Sequence, residues 1–246
     1  MMRTLFIFTF VAALLIGLAS RVPLSFIMRN SGATAQGLSW QQARGTIWNG
    51  QITGLGLKGN ALGAIDMKLS PLKLITGSAP SRFDWISDQG RARGDIAISR
   101  KNIRLNNTDV NLFVGTMSGL HPEIQKLGGA LSLKNLQATF DLSGTCKNAS
   151  GDAQTDILQR LGTQYGRNWP NLTGDVSCAN GAFALPLQGQ GPAGETFRIS
   201  INVTPTGTIE QTIEVEGLDG QASIALQSMG FTPSGKGFVL HQVTTF

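Results

Sequence analysis

Charge is scarce in this chain. Of 246 residues, 20 are basic and 15 acidic, 14% in all, against roughly 25% in ordinary soluble domains. No run of three basic residues occurs, and the densest spots are Arg91/Arg93 and Arg100-Lys101. The net +5 is therefore spread out, and nucleic-acid binding is not expected. Metal and nucleophile chemistry is equally thin. The two histidines, His121 and His241, and the two cysteines stand at spacings unrelated to any zinc motif, so neither metal nor cofactor is expected. There is no G-x-S-x-G elbow, and no histidine stands beside a recognisable nucleophile motif. One tyrosine and four tryptophans supply little for two aromatic girdles, which argues against an outer-membrane barrel despite the terminal Phe246. These absences point away from an enzyme.

Glycine, by contrast, is abundant: 31 of 246 residues, about 13% against a usual 7% or so. Without a G-X-Y period this excludes collagen, and spread evenly it disfavours long helices. The hydrophobic fraction of 41% is too high for disorder and too low for a multi-span membrane protein.

Residues 5–19 (LFIFTFVAALLIGLA) carry no charge and follow Met-Met-Arg. As a helix they reach about 22 Å, short of the roughly 30 Å hydrocarbon core. A signal peptide cleaved near Gly17-Leu18-Ala19 is one reading. The favoured one is an uncleaved membrane helix, because apolar residues resume from Val22 to Met28, with Arg21 and Arg29 reaching the headgroups. Residues 1–28 are accordingly expected as an N-terminal anchor, with a signal peptide as the alternative, and 29–246 as an exported β domain. Cys146 and Cys178 in such a domain are most simply one disulfide, worth about 3–4 kcal/mol; a pair of buried free thiols is the alternative.

Beyond residue 40 the chain reads as short alternating segments broken by turn residues. Phe197, Ile199, Ile201 and Val203 alternate with polar neighbours, as do Ile209–Val215, Phe183–Leu187, Ile65–Leu69, Ile96/Ile98, Ile103/Leu105, Val110–Val114 and Ile224/Leu226. Leu131 and Leu133 are odd-numbered whereas Leu136, Ala138, Phe140 and Leu142 are even, which predicts a bulge near Lys134-Asn135. About twelve antiparallel strands are expected by this spacing. Helices are few: one capped by Thr155 and running to Gly166, one turn from Pro122, and another over 71–75. The fold class is mainly β, a glycine-rich, largely antiparallel curved sheet or sandwich with one or two short helices.

Several stretches imitate functional motifs. Gly54/Gly56/Gly59 and Gly189/Gly191/Gly194 match G-x-G-x-x-G but sit in strand-like contexts, so they read as turn glycines. Glu214 and Glu216 share one face of a strand and read as solvated outer-face residues. The segment Gly45-Thr46-Ile47-Trp48-Asn49-Gly50 places a large aromatic between glycines. Trp48 is expected to plug one end of the sheet, with Asn49-Gly50 as a type I′ hairpin turn.

An N-terminal apolar segment, Pro23 after it, and then Gly45-Thr46-Ile47-Trp48-Asn49-Gly50 resemble the type II secretion system protein N (GspN) family. Leu69-Ser70-Pro71-Leu72, running to Gly77, matches a further passage of that family. So does the cysteine pair Cys146 and Cys178, the second member flanked by Gly174 and Gly181. The order of these short motifs covers most of the chain. The resemblance implies a bitopic inner-membrane protein of a Gram-negative bacterium with a periplasmic β domain. It implies a non-enzymatic accessory part of the secretion machinery whose partners are other type II components. A second resemblance, to AsmA-type periplasmic proteins, implies the alternative of a lipid-binding β protein. Long strands whose edges accept a partner strand fit the first; an apolar inner face that cradles an acyl chain fits the second.

Overall fold

Short alternating segments punctuated by glycine become antiparallel strands throughout the described chain. In the computed structural model these described residues are 21–70, 79–116 and 122–245. The apolar stretch 5–19, Pro71, the helical turn read over 71–75 and His121 lie outside them. Sixteen strands and few short helices are present among the described residues, so the protein is mainly β and antiparallel. The excess over twelve comes from brief edge pieces that alternation does not register. The sequence reading drew no boundary inside 29–246, whereas the described residues divide into two compact units between Ser87 and Asp88.

The first unit opens with α1 (Leu24–Asn30) and a 3-10 turn (Ala33–Gln36). Its strands are β1 (Leu38–Ser39), β2 (Gln42–Gly45), β3 (Asn49–Leu57), β4 (Asn60–Leu69) and β5 (Ala79–Ser87). β1 and β2 pair in turn with the two ends of β3, which is followed by β4 and then β5. Val22 and Pro23 do not continue a helix from the N-terminal side. Pro23 is extended and bridges Thr46, and the Val22 carbonyl accepts from the Ile47 amide at 3.3 Å. The apolar resumption after Arg21 thus includes Leu24, which is buried against Gly50. Among the described residues no helix is long and apolar enough to cross a membrane.

The β2–β3 hairpin differs from its expectation. Asn49-Gly50 opens β3, and the turn is Thr46-Ile47-Trp48, closed by the Thr46 amide donating to the Asn49 carbonyl at 3.0 Å. The Thr46 hydroxyl accepts from the Trp48 and Asn49 amides, each at 3.3 Å, a local substitute for a backbone turn. Gly45 enters at φ +80°, open to glycine at little cost. Ile47 and Trp48, both half-buried, therefore lie in a turn and not on opposite faces of a strand. A true type I′ pair, both residues at positive φ, occurs instead at Lys58-Gly59, and another at Asn180-Gly181.

The second unit is a meander with one crossover near its end. β6 (Gly90–Ile98), β7 (Asn102–Phe113), β8 (Ala130–Asp141) and β9 (Cys146–Thr155) come first. β10 (Leu172–Asp175), β11 (Ser177–Ala179), β12 (Ala182–Gln190) and β13 (Thr196–Val203) follow. β14 (Thr208–Glu216), β15 (Thr232–Ser234) and β16 (Gly237–Thr245) complete it. The order is β6-β7-β8-β9-β10-β12-β13-β14-β16-β15, with β11 beside β12. Ile103/Leu105 and Val110/Leu112 belong to one long strand, interrupted where Asn107 takes φ +45°. The phase change read near Lys134-Asn135 is a register shift between Lys134 and Gln137, with Asn135 at φ +52°. Its physical result is that Leu133, Leu136 and Ala138 are all buried.

Among the described residues three helices join this sheet: α2 (Pro122–Leu127), α3 (Ile157–Gln164) and α4 (Gly220–Ser228). α3 starts one residue later than read, after Asp156. The Thr155 hydroxyl accepts from the Ile157 amide at 3.4 Å, while the Asp156 carboxylate takes the Ala130 amide and Arg160 Nε, both at 2.7 Å. Ile224/Leu226, read as a strand, belong to α4. Asp219 caps it by accepting from the Ala222 amide at 2.9 Å, which outweighs a two-residue alternation. Cys146 and Cys178 are disulfide-bonded at a Cα separation of 5.6 Å, joining β9 to β11 and closing the loop that holds α3. Replacing both cysteines by serine is expected to remove about 3–4 kcal/mol through loop entropy. The check is a shift in the urea midpoint of the full chain, matched by reductant on the native protein; coincident transitions would refute it.

Candidate functional site

Register between β12 and β16 lines up apolar side chains across one face. Leu187, Ile199, Ile213 and Leu240 form one row, and Phe197, Val215 and Phe238 continue from Gly189 in the next. An alternating strand presents one such face, and antiparallel pairing keeps opposed residues on it. α3 contributes Leu158 and Leu161 over these rows, and Leu226 and Phe231 come from α4 and the residues after it. They do not fill the space. A cleft of about 190 Å³ remains, lined by Leu161, Leu187, Phe197, Ile213, Leu226 and further apolar side chains. Among the described residues that line it, Thr155 and Gln211 are the polar ones. An apolar molecule or side chain is what this lining accepts.

At one rim of the cleft a buried carboxylate ties three elements together. Glu195, 3% exposed, accepts from Trp169 Nε1 at 3.1 Å and from the Ala193 amide at 2.9 Å. Arg167 stands 3.9 Å from it and also pairs with Asp219, the cap of α4. The guanidinium lies 5.6 Å from the Trp169 ring centroid, and that ring packs on Phe197 at 5.1 Å. The β12–β13 loop, the segment after α3 and the start of α4 are thus held by one charge network. Burial alone would push the Glu195 carboxyl up. Donors from its own backbone, Trp169 and Ala193, with the Arg167 charge, outweigh that and hold it below the usual carboxylate range. Asp219 is lowered as well, chiefly by the Ala222 amide and then by Arg167. None of Arg167, Trp169 and Glu195 stands out in sequence. Their one signal, an acid in an otherwise uncharged hairpin loop, has meaning only once Trp169 faces it.

The residues singled out from sequence are dispersed. Gly45, Trp48 and Gly50 form the hairpin of the first unit, and Cys146 and Cys178 staple β9 to β11 in the second. A Cβ on Gly50 would sit 2.6 Å from Leu24 Cδ2 and 2.8 Å from the Thr46 carbonyl, so only glycine fits there. Neither G-x-G-x-x-G stretch precedes a helix: both begin on a strand and end in a hairpin connection. Glu214 and Glu216 flank Arg198 on the outer face, at 3.8 and 3.5 Å, an exposed trio in which one guanidinium serves two carboxylates. His241 Nδ1 lies 3.1 Å from the Thr212 hydroxyl. Among the described residues no three His, Cys, Asp or Glu side chains converge as metal ligands.

The Glu195 network sets a pH dependence. A carboxyl held low in the folded state stabilises above its ordinary pKa, and that stability is lost as pH falls through the ordinary and then the folded value. The melting temperature of the full chain is expected to drop between about pH 6 and pH 3, and Glu195→Gln to flatten part of that drop. Glu195→Ala is expected to cost about 2–4 kcal/mol at neutral pH, since it strands Trp169 Nε1 and Arg167. Superimposable pH profiles for the native chain and Glu195→Gln would show that the network carries no stability.

The family model for type II secretion system (T2SS), protein N, matches residues 36–239. That span runs from the end of the 3-10 turn into β16 and takes in strands of both units. No curated protein and no solved structure matches the chain. The rows of apolar side chains, the stapled β9–β11 pair and the Gly45–Gly50 hairpin are therefore features of a chain that belongs to the type II secretion system protein N family.

Proposed function

We propose that this protein is a non-enzymatic accessory component of the type II secretion machinery, held in the inner membrane by an N-terminal anchor within residues 1–28 that contains the apolar segment 5–19. Its two β units work in the periplasm, where they contact other components of the apparatus. The single observation that carries the reading is the family match over residues 36–239. The uncharged N-terminal run supports the anchor, and the disulfide suits an oxidising compartment. We assign the Gly45–Gly50 hairpin a structural role. Its turn receives Val22 and Pro23, so it sits where the anchor segment hands over to the first unit. Crosslinking from the full-length protein in its native envelope tests the main reading. Another type II secretion component is the expected captured product; capture of unrelated envelope proteins alone would overturn it.

One observation favours a second reading. The cleft beneath α3 and α4 is apolar and open, so its lining is left facing water at a cost of about 25 cal/mol per Å² of apolar surface. A lipid acyl chain entering it would offset that cost, which gives the lipid-binding alternative a physical basis. Mass spectrometry of the purified full chain decides it: co-purifying lipid that Leu187→Lys releases supports the alternative, and lipid-free protein ends it.

Trp48 provides a separate check on the hairpin. Half-buried in a turn, it is expected to cost about 2 kcal/mol on replacement by alanine, less than a fully buried tryptophan. An unchanged melting temperature together with defective secretion would make Trp48 a partner contact instead.

A further inference from the structure

The second unit ends in a strand that is guarded over one half and open over the other. β16 pairs with β14 along its whole length, from Gly237↔Glu216 to Thr245↔Thr208. Its other side is covered by β15 only at Gly237, Phe238 and Val239. β15 is itself three residues long and contains Pro233, two features that stop strand addition. From Leu240 to Thr245 no described strand pairs the outer side, so every second residue there turns its N–H and C=O away from the sheet. The usual protections are missing from this half. The strand GFVLHQVTT contains no Lys, Arg, Asp, Glu or Pro. His241, Val243, Thr244 and Thr245 are exposed, Val243 by 57%.

An alternating row of backbone donors and acceptors is complemented by another extended strand. Which strand follows from the side chains. Phe238, Leu240, Gln242 and Thr244 share the inner face, opposite Val215, Ile213, Gln211 and Ile209, and Val239, His241, Val243 and Thr245 share the outer one. The free segment has no charge to select a charged partner and none to repel its own copy. When it is laid antiparallel on itself, faces are conserved only in registers whose paired numbers sum to an even value. Two such registers lie nearest the middle of 240–245, and the one that places a β-branched apolar residue on the axis sets Val243 on Val243, Gln242 on Thr244 and His241 on Thr245. These are a β-branched apolar pair and two pairs able to hydrogen-bond across the strands. A two-fold axis closes the contact, because each copy contributes the same free half and the other half is already covered by β15.

We propose that residues 241–245 of β16 form an antiparallel, two-fold interface with the same segment of a second copy of this chain, centred on Val243. The two sheets become continuous across it. The inference goes beyond the secretion role and does not depend on it, since it concerns the purified chain without any partner.

The test is site-specific disulfide trapping in the full-length protein. Cys146 and Cys178 are bonded to each other, so an introduced thiol reports alone. Val243→Cys is expected to give a covalent homodimer under mild oxidation, at least about tenfold more than Ile98→Cys, an equally exposed site on β6. His241→Cys and Thr245→Cys are each expected to crosslink poorly alone and well when co-expressed, which fixes the register. Val243→Lys places like charges face to face and is expected to weaken dimerisation of the purified chain by about tenfold, with an unchanged circular dichroism spectrum. Three results would overturn the proposal: no excess of dimer at Val243→Cys, crosslinking of Val243→Cys to a different protein, or a native chain monomeric by light scattering at micromolar concentration. A dimer found beside failed capture of secretion components would refute the proposed function and leave this interface standing.

Discussion

An antiparallel sheet satisfies its backbone internally, but it leaves two faces, and the apolar one must be covered. In the unit from Asp88 to Phe246 that requirement organises everything else. The inner rows of β12, β13, β14 and β16 are almost wholly apolar, and among the described residues the helical cover comes from short elements, chiefly α3 and α4 with Leu127 of α2. Each is too short to be stable alone. α3 is therefore held inside the disulfide loop, and α4 is pinned through its cap, Asp219, to Arg167 and so to Glu195. The polar network at the rim is thus a consequence of the apolar face: it fastens the cover. What the cover leaves unfilled is the cleft.

The smaller unit meets the same requirement by other means. Its fully buried side chains are few, with Leu24 and Ile52 chief among them, and close backbone approach substitutes for bulk. Gly50 brings β3 against Leu24, and the Val22–Pro23 stretch adds an isolated bridge to the hairpin turn. Glycine enrichment, which reads in sequence only as a bar to long helices, has a specific use here. At Gly50, under Leu24 of α1, and again at Gly174, against the Pro186 carbonyl of β12, it lets neighbouring segments approach where any side chain would collide. Strand edges follow the same economy, with short pieces and a proline where pairing stops. The free half of β16 departs from that pattern.

Local periodicity by itself determined that the chain is mainly β and antiparallel, which residues of β12, β13 and β14 face together, and that β8 carries a bulge where its phase changes. These are decisions of a few adjacent residues, because alternation and side-chain direction are coupled within one strand. The family was legible too, read through the order of short glycine-framed motifs from Gly45 to Gly181, and the family match over residues 36–239 shows it. Tertiary structure alone decided the rest. Whether Ile224/Leu226 are strand or helix turned on a cap at Asp219 whose partner, Arg167, lies 52 residues away. The turn at Thr46–Trp48 displaced the one expected at Asn49-Gly50 because Gly50 was needed under Leu24. The Trp169–Glu195 pair joins residues 26 apart, and the cleft beside it exists only where rows from separate strands meet helices that fail to fill it. Burial, pairing and free volume are properties of distant segments brought together, and no window of sequence contains them.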